Sequence, residues 1–432
     1  MSGVIGESRN MQAFEALESN VRLYSRSFPT FFSRARGSVI LTEDGRRVID
    51  FLSGAGALNY GHNNHEIKAA ITGYLASDAV VHGLDMATPA KLEFMEIFSS
   101  VILQGWSQKY RFQFTGPTGA NAIEAALKLS RKVTGRQNIV SFTHGYHGLS
   151  LGAVAATGDL FHRKASGVSL SGVTFMPYDG YLGPAVDTAD YVRKVLLDNG
   201  SGIDSPAAIL LESVQGEGGI NVARKEWLQS IQAIAKEAGA LFIVDDIQMG
   251  CGRTGEFFSF EFAGLSPDIV VMSKSLSGYG LPLSMLLIKE EVDAWQPGEH
   301  TSTFRGNNLA LVSATAAINI YWRCPTFSQG VQRMGADIRR QLEAISFRHG
   351  NCFAVRGRGL ALGFDCQMAE IAAATARTAF DKGLIVERCG PSDQVIKLFP
   401  ALTIDSETLS QGLEIFEESL ADTLKQVKVA AT

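Results

Sequence analysis

The chain has 432 residues, 46% hydrophobic and 19% charged, with a formal net charge of −5. That length can bury a core divided among two or three domains, and the acidic balance gives no electrostatic case for nucleic acid or an anionic membrane. No apolar run approaches the roughly 18 residues that span a bilayer.

The first twenty residues, MSGVIGESRNMQAFEALESN, lack the basic and apolar blocks of a signal peptide. Five scattered cysteines form no CxxC pair and the eight histidines show no HExxH spacing. A reducing cytoplasm is expected, without disulfides, and metal catalysis is not.

Near the N-terminus, SVILTEDGRRVIDFLSG reads as two strands joined at Asp44-Gly45. From about residue 110 to 290, apolar runs alternate with helical patterns. Candidate strands are Arg111–Thr115, Asn138–Phe142, Ala207–Glu212, Leu241–Asp245, Asp268–Met272 and Ser284–Ile288. Candidate helices between them include Asn121–Thr134, ended by Gly135, and Lys225–Ala238. This alternation predicts an α/β domain with a mostly parallel sheet covered on both faces, whose ligands bind at the strands' carboxyl ends. A helical run after Asn308 leads into a segment of mixed helices and strands, such as Phe353–Val355 and Val395–Leu398. The division expected is an N-terminal segment 1–60 contributing to a small domain, a large domain 61–310, and a C-terminal small domain 311–432.

Glycines cluster in GAGALNYGH (54–62), GPTG (116–119), HGYHG (144–148), QGEGG (215–219), MGCGRTG (249–255) and SGYGLP (277–282). So many glycine loops after strands suggest a site built from several strand ends. Chemistry-bearing residues stand at those ends. Asp245 and Asp246 close an apolar strand, where a carboxylate must be hydrated, paired or capping. Glu212 ends another, just before QGEGG. Thr118-Gly119-Ala120 opens a helix whose first amides suit an anion such as phosphate, or simply form a turn. Tyr146 can stack on a flat ring or pack in its loop. Thr303, in HTSTFRGNN, offers a hydroxyl or a helix cap. Lys274 follows the run Ile269–Met272, where lysines usually mark the surface. Together the set is what pyridoxal 5′-phosphate needs: a lysine for a Schiff base, an acid for the ring nitrogen, an aromatic face and a phosphate cradle.

VDDIQMGCGRTG, then PDIVVMSKSLSGYGLPLS, then HTSTFRGNN resembles the signature of class III aminotransferases, and the resemblance covers nearly the whole chain. It implies a fold-type I enzyme with a seven-stranded sheet, Lys274 as the Schiff-base lysine and Asp245 as partner of the pyridinium nitrogen. It also implies Gln248 on the phenolic oxygen, Gly119 and Ala120 with Thr118 around the phosphate, and Tyr146 stacked on the ring. Thr303 would reach the neighbouring subunit's cofactor in a homodimer with shared sites. Glu212 and Glu217 would border the substrate.

Two departures stand out. TGANA replaces the family's usual SGTEA, and Lys397, in VIKLFPALTI, stands where ornithine-type members carry an arginine for the substrate carboxylate. Lysine keeps the charge without the bidentate fork. Segments such as RSFPTFFSRARG and VVHGLDMAT resemble the diaminobutyrate-forming branch, known from ectoine and siderophore pathways, more than the ornithine, acetylornithine or 4-aminobutyrate branches. The implied substrates are L-glutamate and L-aspartate 4-semialdehyde, in a ping-pong reaction. The nearest rival reading is another ω-aminotransferase of the ornithine, acetylornithine or 4-aminobutyrate type; decarboxylation or aminomutation and a catalytically silent binding protein are the others.

Overall fold

A computed structural model of the protein describes residues 11–350 and 352–430. Residues 1–10 of the expected N-terminal segment, and 351, 431 and 432 of the expected small domain, lie outside that range. The chain begins its sheets with β1 (Phe32–Arg36), β2 (Val39–Thr42) and β3 (Arg47–Asp50), paired antiparallel. Gly45, at φ 84°, makes the expected turn between β2 and β3.

The large sheet has seven strands: β4 (Tyr110–Phe114), β5 (Ile139–Phe142), β6 (Val173–Met176), β7 (Ala208–Leu211), then, beyond the short ribbon β8 (Val214–Gln215) and β9 (Asn221–Val222), β10 (Leu241–Asp245), β11 (Ile269–Met272) and β12 (Met285–Lys289). Their spatial order is β4-β12-β11-β10-β7-β5-β6. Only β12 runs against its neighbours β11 and β4. Alternate side chains enter two apolar clusters: Phe242 and Val244 of β10 point into one, Ile243 into the other. That two-sided burial is why these strands read as unbroken apolar runs rather than alternating ones. Their ends fall within a residue of the sequence reading. The strand that reading lacks is β6, an edge strand whose first three residues are only half-buried and whose apolar signal is correspondingly weak.

A second sheet is antiparallel in the order β13-β14-β17-β16, from β13 (Ala354–Arg358), β14 (Ala361–Asp365), β16 (Glu387–Cys389) and β17 (Val395–Leu398). Between them in sequence, β15 (Leu384–Ile385) pairs parallel with β3, tying the N-terminal segment to the small domain. Ile49 and Phe51 accordingly share a core with Leu362, Phe364 and Leu398. The helix Asn308–Tyr321 goes the other way. Its Ala310, Leu311, Ala314 and Ile318 are buried in the large-domain core, so the expected division at 310/311 moves to the connection after Tyr321. Among the described residues no helix is long and apolar enough to cross a membrane.

One buried arginine joins the two domains. Arg253, in the loop after β10, is fully buried and donates to Pro400 O (2.6 Å), Leu360 O (3.2 Å) and Asn59 Oδ1 (2.6 Å), with its guanidinium 4.9 Å from the centroid of Phe399. Removing it strands three buried acceptors, so Arg253→Ala is expected to lose about 3 kcal/mol of stability. A lowered urea midpoint checks this; an unchanged one refutes it.

Candidate active site

The carboxyl edge of the large sheet collects the polar groups. Asp245 ends β10 and is buried, yet both oxygens are occupied: Oδ1 accepts the Ile247 amide (3.1 Å) and Oδ2 lies 2.7 Å from His147 Nδ1. Burial alone would lower the His147 pKa, but the bond to Asp245 outweighs it and raises the pKa above its usual value. The pair is thus a short buried contact that fixes Asp245 in place. His147 is not among the site residues expected from the sequence, although it directly follows Tyr146 in HGYHG; no spacing rule links it to an acid 98 residues away. The neighbouring Asp246 turns away from the site, taking the amide and hydroxyl of Ser259.

Glu212, just beyond β7, is buried and accepts the amides of Tyr146 (3.0 Å) and Gly216 (3.1 Å). Burial, with help from Asp245 and against the pull of His147, pushes its pKa up to about 7. Glu217 sits at the tip of the β8–β9 hairpin, flanked by glycines. Its Oε1 accepts from Gln248 Nε2 (2.9 Å) and Lys397 Nζ (2.6 Å). Burial would raise the Glu217 carboxyl, but Lys397 and Lys274 together bring it down to about 2. Lys397, on β17, is completely buried, and a second carboxylate, Glu387, lies 2.8 Å from its Nζ. Those two acids overcome the cost of burial and hold the ammonium charged.

Lys274 follows β11 and Ser273 and opens a short 3₁₀ turn, Lys274–Ser277. Its φ is +49°, a left-handed conformation that is costly for a side chain with a Cβ. Burial chiefly, and Lys397 secondarily, lower its pKa, against the opposing pull of Glu217. A lysine so depressed is a better nucleophile toward a carbonyl.

Lys274 lines one cleft of about 690 Å³ with Gly119, Ala120, Tyr146, His147, Glu212, Glu217, Asp245 and Gln248. Gly119 and Ala120 stand at the start of the helix Gly119–Thr134. Three expected residues, Thr118, Thr303 and Lys397, are not part of that wall. Thr118 is exposed and its hydroxyl bonds Asn121 as the helix cap. Thr303 is exposed on the loop before Asn308. Lys397 touches the cleft lining through Glu217, which its Nζ contacts at 2.6 Å.

The family model "Aminotransferase class-III" matches residues 22–420. The chain is a class III aminotransferase. It is 58% identical to the "uncharacterized aminotransferase y4qG" of Sinorhizobium fredii, with 96% of this chain and 93% of that one aligned. It is 54% identical to the diaminobutyrate–2-oxoglutarate transaminase of Bordetella bronchiseptica, over 98% of each chain. Among solved structures, ornithine aminotransferase from Toxoplasma gondii, with pyridoxal phosphate partly occupying its active site, superposes with a TM-score of 0.83 at 23% identity, covering 96% of this chain and 95% of that one. The fold is therefore that of fold-type I aminotransferases.

The cofactor of this aminotransferase is pyridoxal 5′-phosphate, and the residues present fit it. Gln248 Oε1, an acceptor, is buried with no hydrogen-bond partner among the described residues, an orphan expected where a donor on a bound group completes the contact. The backbone is pared away beside it: a Cβ on Gly216 would stand 1.7 Å from that oxygen. Gly119 and Ala120, the first residues of a 16-residue helix, line the cleft, and a helix start favours an anion such as phosphate.

Glu212 supplies a test of these electrostatics. A carboxyl whose folded pKa is raised favours the fold fully below its unfolded value, and that contribution is lost as pH rises toward the folded one. The stability of the wild type relative to Glu212→Gln should therefore fall between about pH 4.5 and 7. Thermal unfolding of the pair across that window checks it; a pH-independent difference would contradict the burial argument.

Proposed function

We propose that the protein transfers the amino group of L-glutamate to L-aspartate 4-semialdehyde, giving 2-oxoglutarate and L-2,4-diaminobutanoate. The observation that carries this reading is the buried Lys397 beneath Glu217, a partly exposed carboxylate at a hairpin tip. It gives one site a cation for a substrate carboxylate in one half-reaction and a covered cation in the other. Relatives named for this transamination, at 47–54% identity over nearly the full chain, support the choice of substrates.

When bound, the cofactor supplies an aldehyde that takes up the amino group and a ring that withdraws electrons from the reacting carbon. Lys274 would hold it covalently and, when free, would move the proton at the substrate's reacting carbon, for which its depressed pKa suits it. Asp245, held by His147, would pair with the ring nitrogen. Tyr146 would cover the ring face, Gln248 would take the phenolic oxygen, and Gly119 and Ala120, with Thr118 beside them, would take the phosphate. Glu212 lies under the Tyr146 amide and borders the substrate. Glu217 covers Lys397 for the semialdehyde and uncovers it for the α-carboxylate of glutamate. Thr303 serves the neighbouring subunit's site in a homodimer; its exposure, and that of Phe304 beside it at 64%, supports this. A cytoplasmic setting accords with five free cysteines among the described residues.

Two experiments test the reading. Lys274→Ala should lose the borohydride-sensitive visible absorbance of the loaded protein, while Asp245→Asn should keep the cofactor and lose about 100-fold or more in kcat. Retention of the borohydride-sensitive band in Lys274→Ala would refute the lysine's role. In an acceptor screen with glutamate as donor, the semialdehyde should exceed ornithine- or 4-aminobutyrate-derived acceptors by at least about tenfold in kcat/KM. Preference for either of those overturns the substrate assignment.

A further inference from the structure

Lys397 has two carboxylate partners, and they are mounted differently. Glu387 stands directly opposite Lys397 in the antiparallel register of β16 and β17, so the backbone ladder fixes that pair side by side. The neighbour on the other side, on β14, is Gly363, which brings no side chain. Glu217 instead comes from a hairpin tip outside this sheet, and its side chain is 30% exposed to the cleft, against 14% for Glu387 and 0% for Lys397. Glu387 is itself anchored. Its Oε1 accepts the hydroxyl of Tyr24, from the N-terminal helix Tyr24–Ser27. Its Oε2 is buried without a directed hydrogen bond, 2.8 Å from Lys397 Nζ.

We infer that Glu387 is the resident counter-ion of Lys397, a positioning residue that lets Glu217 leave and so selectively supports the half-reaction in which a substrate carboxylate takes Glu217's place. The reasoning is one of charge burial. Lys397 has no exposure, so an exchange that passed through a bare ammonium would be strongly opposed. With Glu387 held across the ladder, the ammonium keeps one partner throughout, and Glu217 and the incoming carboxylate exchange at the remaining position. Without Glu387, Glu217 becomes the sole counter-ion and stays closed. The half-reaction that runs with Glu217 in place does not need the exchange and is spared. Tyr24 contributes by holding Glu387 toward Lys397.

The inference rests on the proposed function, and the two can be told apart by measuring the half-reactions separately in single turnovers of the cofactor-loaded protein. The wild type with L-2,4-diaminobutanoate tests the proposed substrate; if it does not react, that reading fails, while the glutamate arm still reads Glu387. In Glu387→Gln, the glutamate concentration for half-maximal rate should rise by about tenfold or more, with the diaminobutanoate reaction within about twofold of wild type. Glu387→Asp should recover part of the loss. Tyr24→Phe, which keeps both carboxylates and removes one hydroxyl, should shift the glutamate arm the same way by a smaller factor. It remains informative if Glu387→Gln does not fold. Equal losses in both half-reactions, no change, or tighter glutamate binding would overturn the inference.

Discussion

A sheet buried on both faces can hold charge only where its strands end, and that constraint organises the molecule. Every strand between β5 and β11 in the large sheet is walled by apolar side chains above and below. Ionisable groups are therefore driven to the loops at the carboxyl edge, where glycine-rich turns leave room for them. Lys274, Asp245, Glu212 and the Glu217 hairpin converge for the same reason, although their positions in the chain are far apart.

Once gathered there, the charges are arranged in small sets of opposite sign. Asp245 has His147, and Lys397 has Glu217 and Glu387. Each set is more than a neutral pair. His147 holds Asp245 in place on the cleft wall, and Lys397 has a second carboxylate beside it in addition to Glu217. Lys274 makes no ion pair among the described residues, and its burial lowers its proton affinity, the condition an amine nucleophile requires. The same low-dielectric edge thus produces a locked acid, a covered cation and a reactive amine.

How far this was readable in sequence depends on how local each relation is. The strands of the large sheet show as apolar runs because burial on both faces leaves an unbroken pattern, and Asp245, Gln248 and Lys274 stand at fixed offsets from those runs. The Thr118 cap and the Gly135 terminator are likewise local. The edge strand β6 is faint because half its surface faces outward. His147 and Glu387 are invisible for another reason. One meets its partner across 98 residues, and the other gains meaning only from a strand register that pairs it with Lys397. The domain division erred where one long apolar helix, Asn308–Tyr321, continues the large core instead of starting the small one. Composition does not mark that difference.

The backbone at Lys274 has a consequence of its own. A β-carbon held at φ +49° is a standing cost that the surrounding fold must carry, and glycine or asparagine would carry it more cheaply. Folding and catalysis therefore place opposite demands on this position. A lineage released from the need to transaminate would drift away from lysine here even under continued selection for a stable fold.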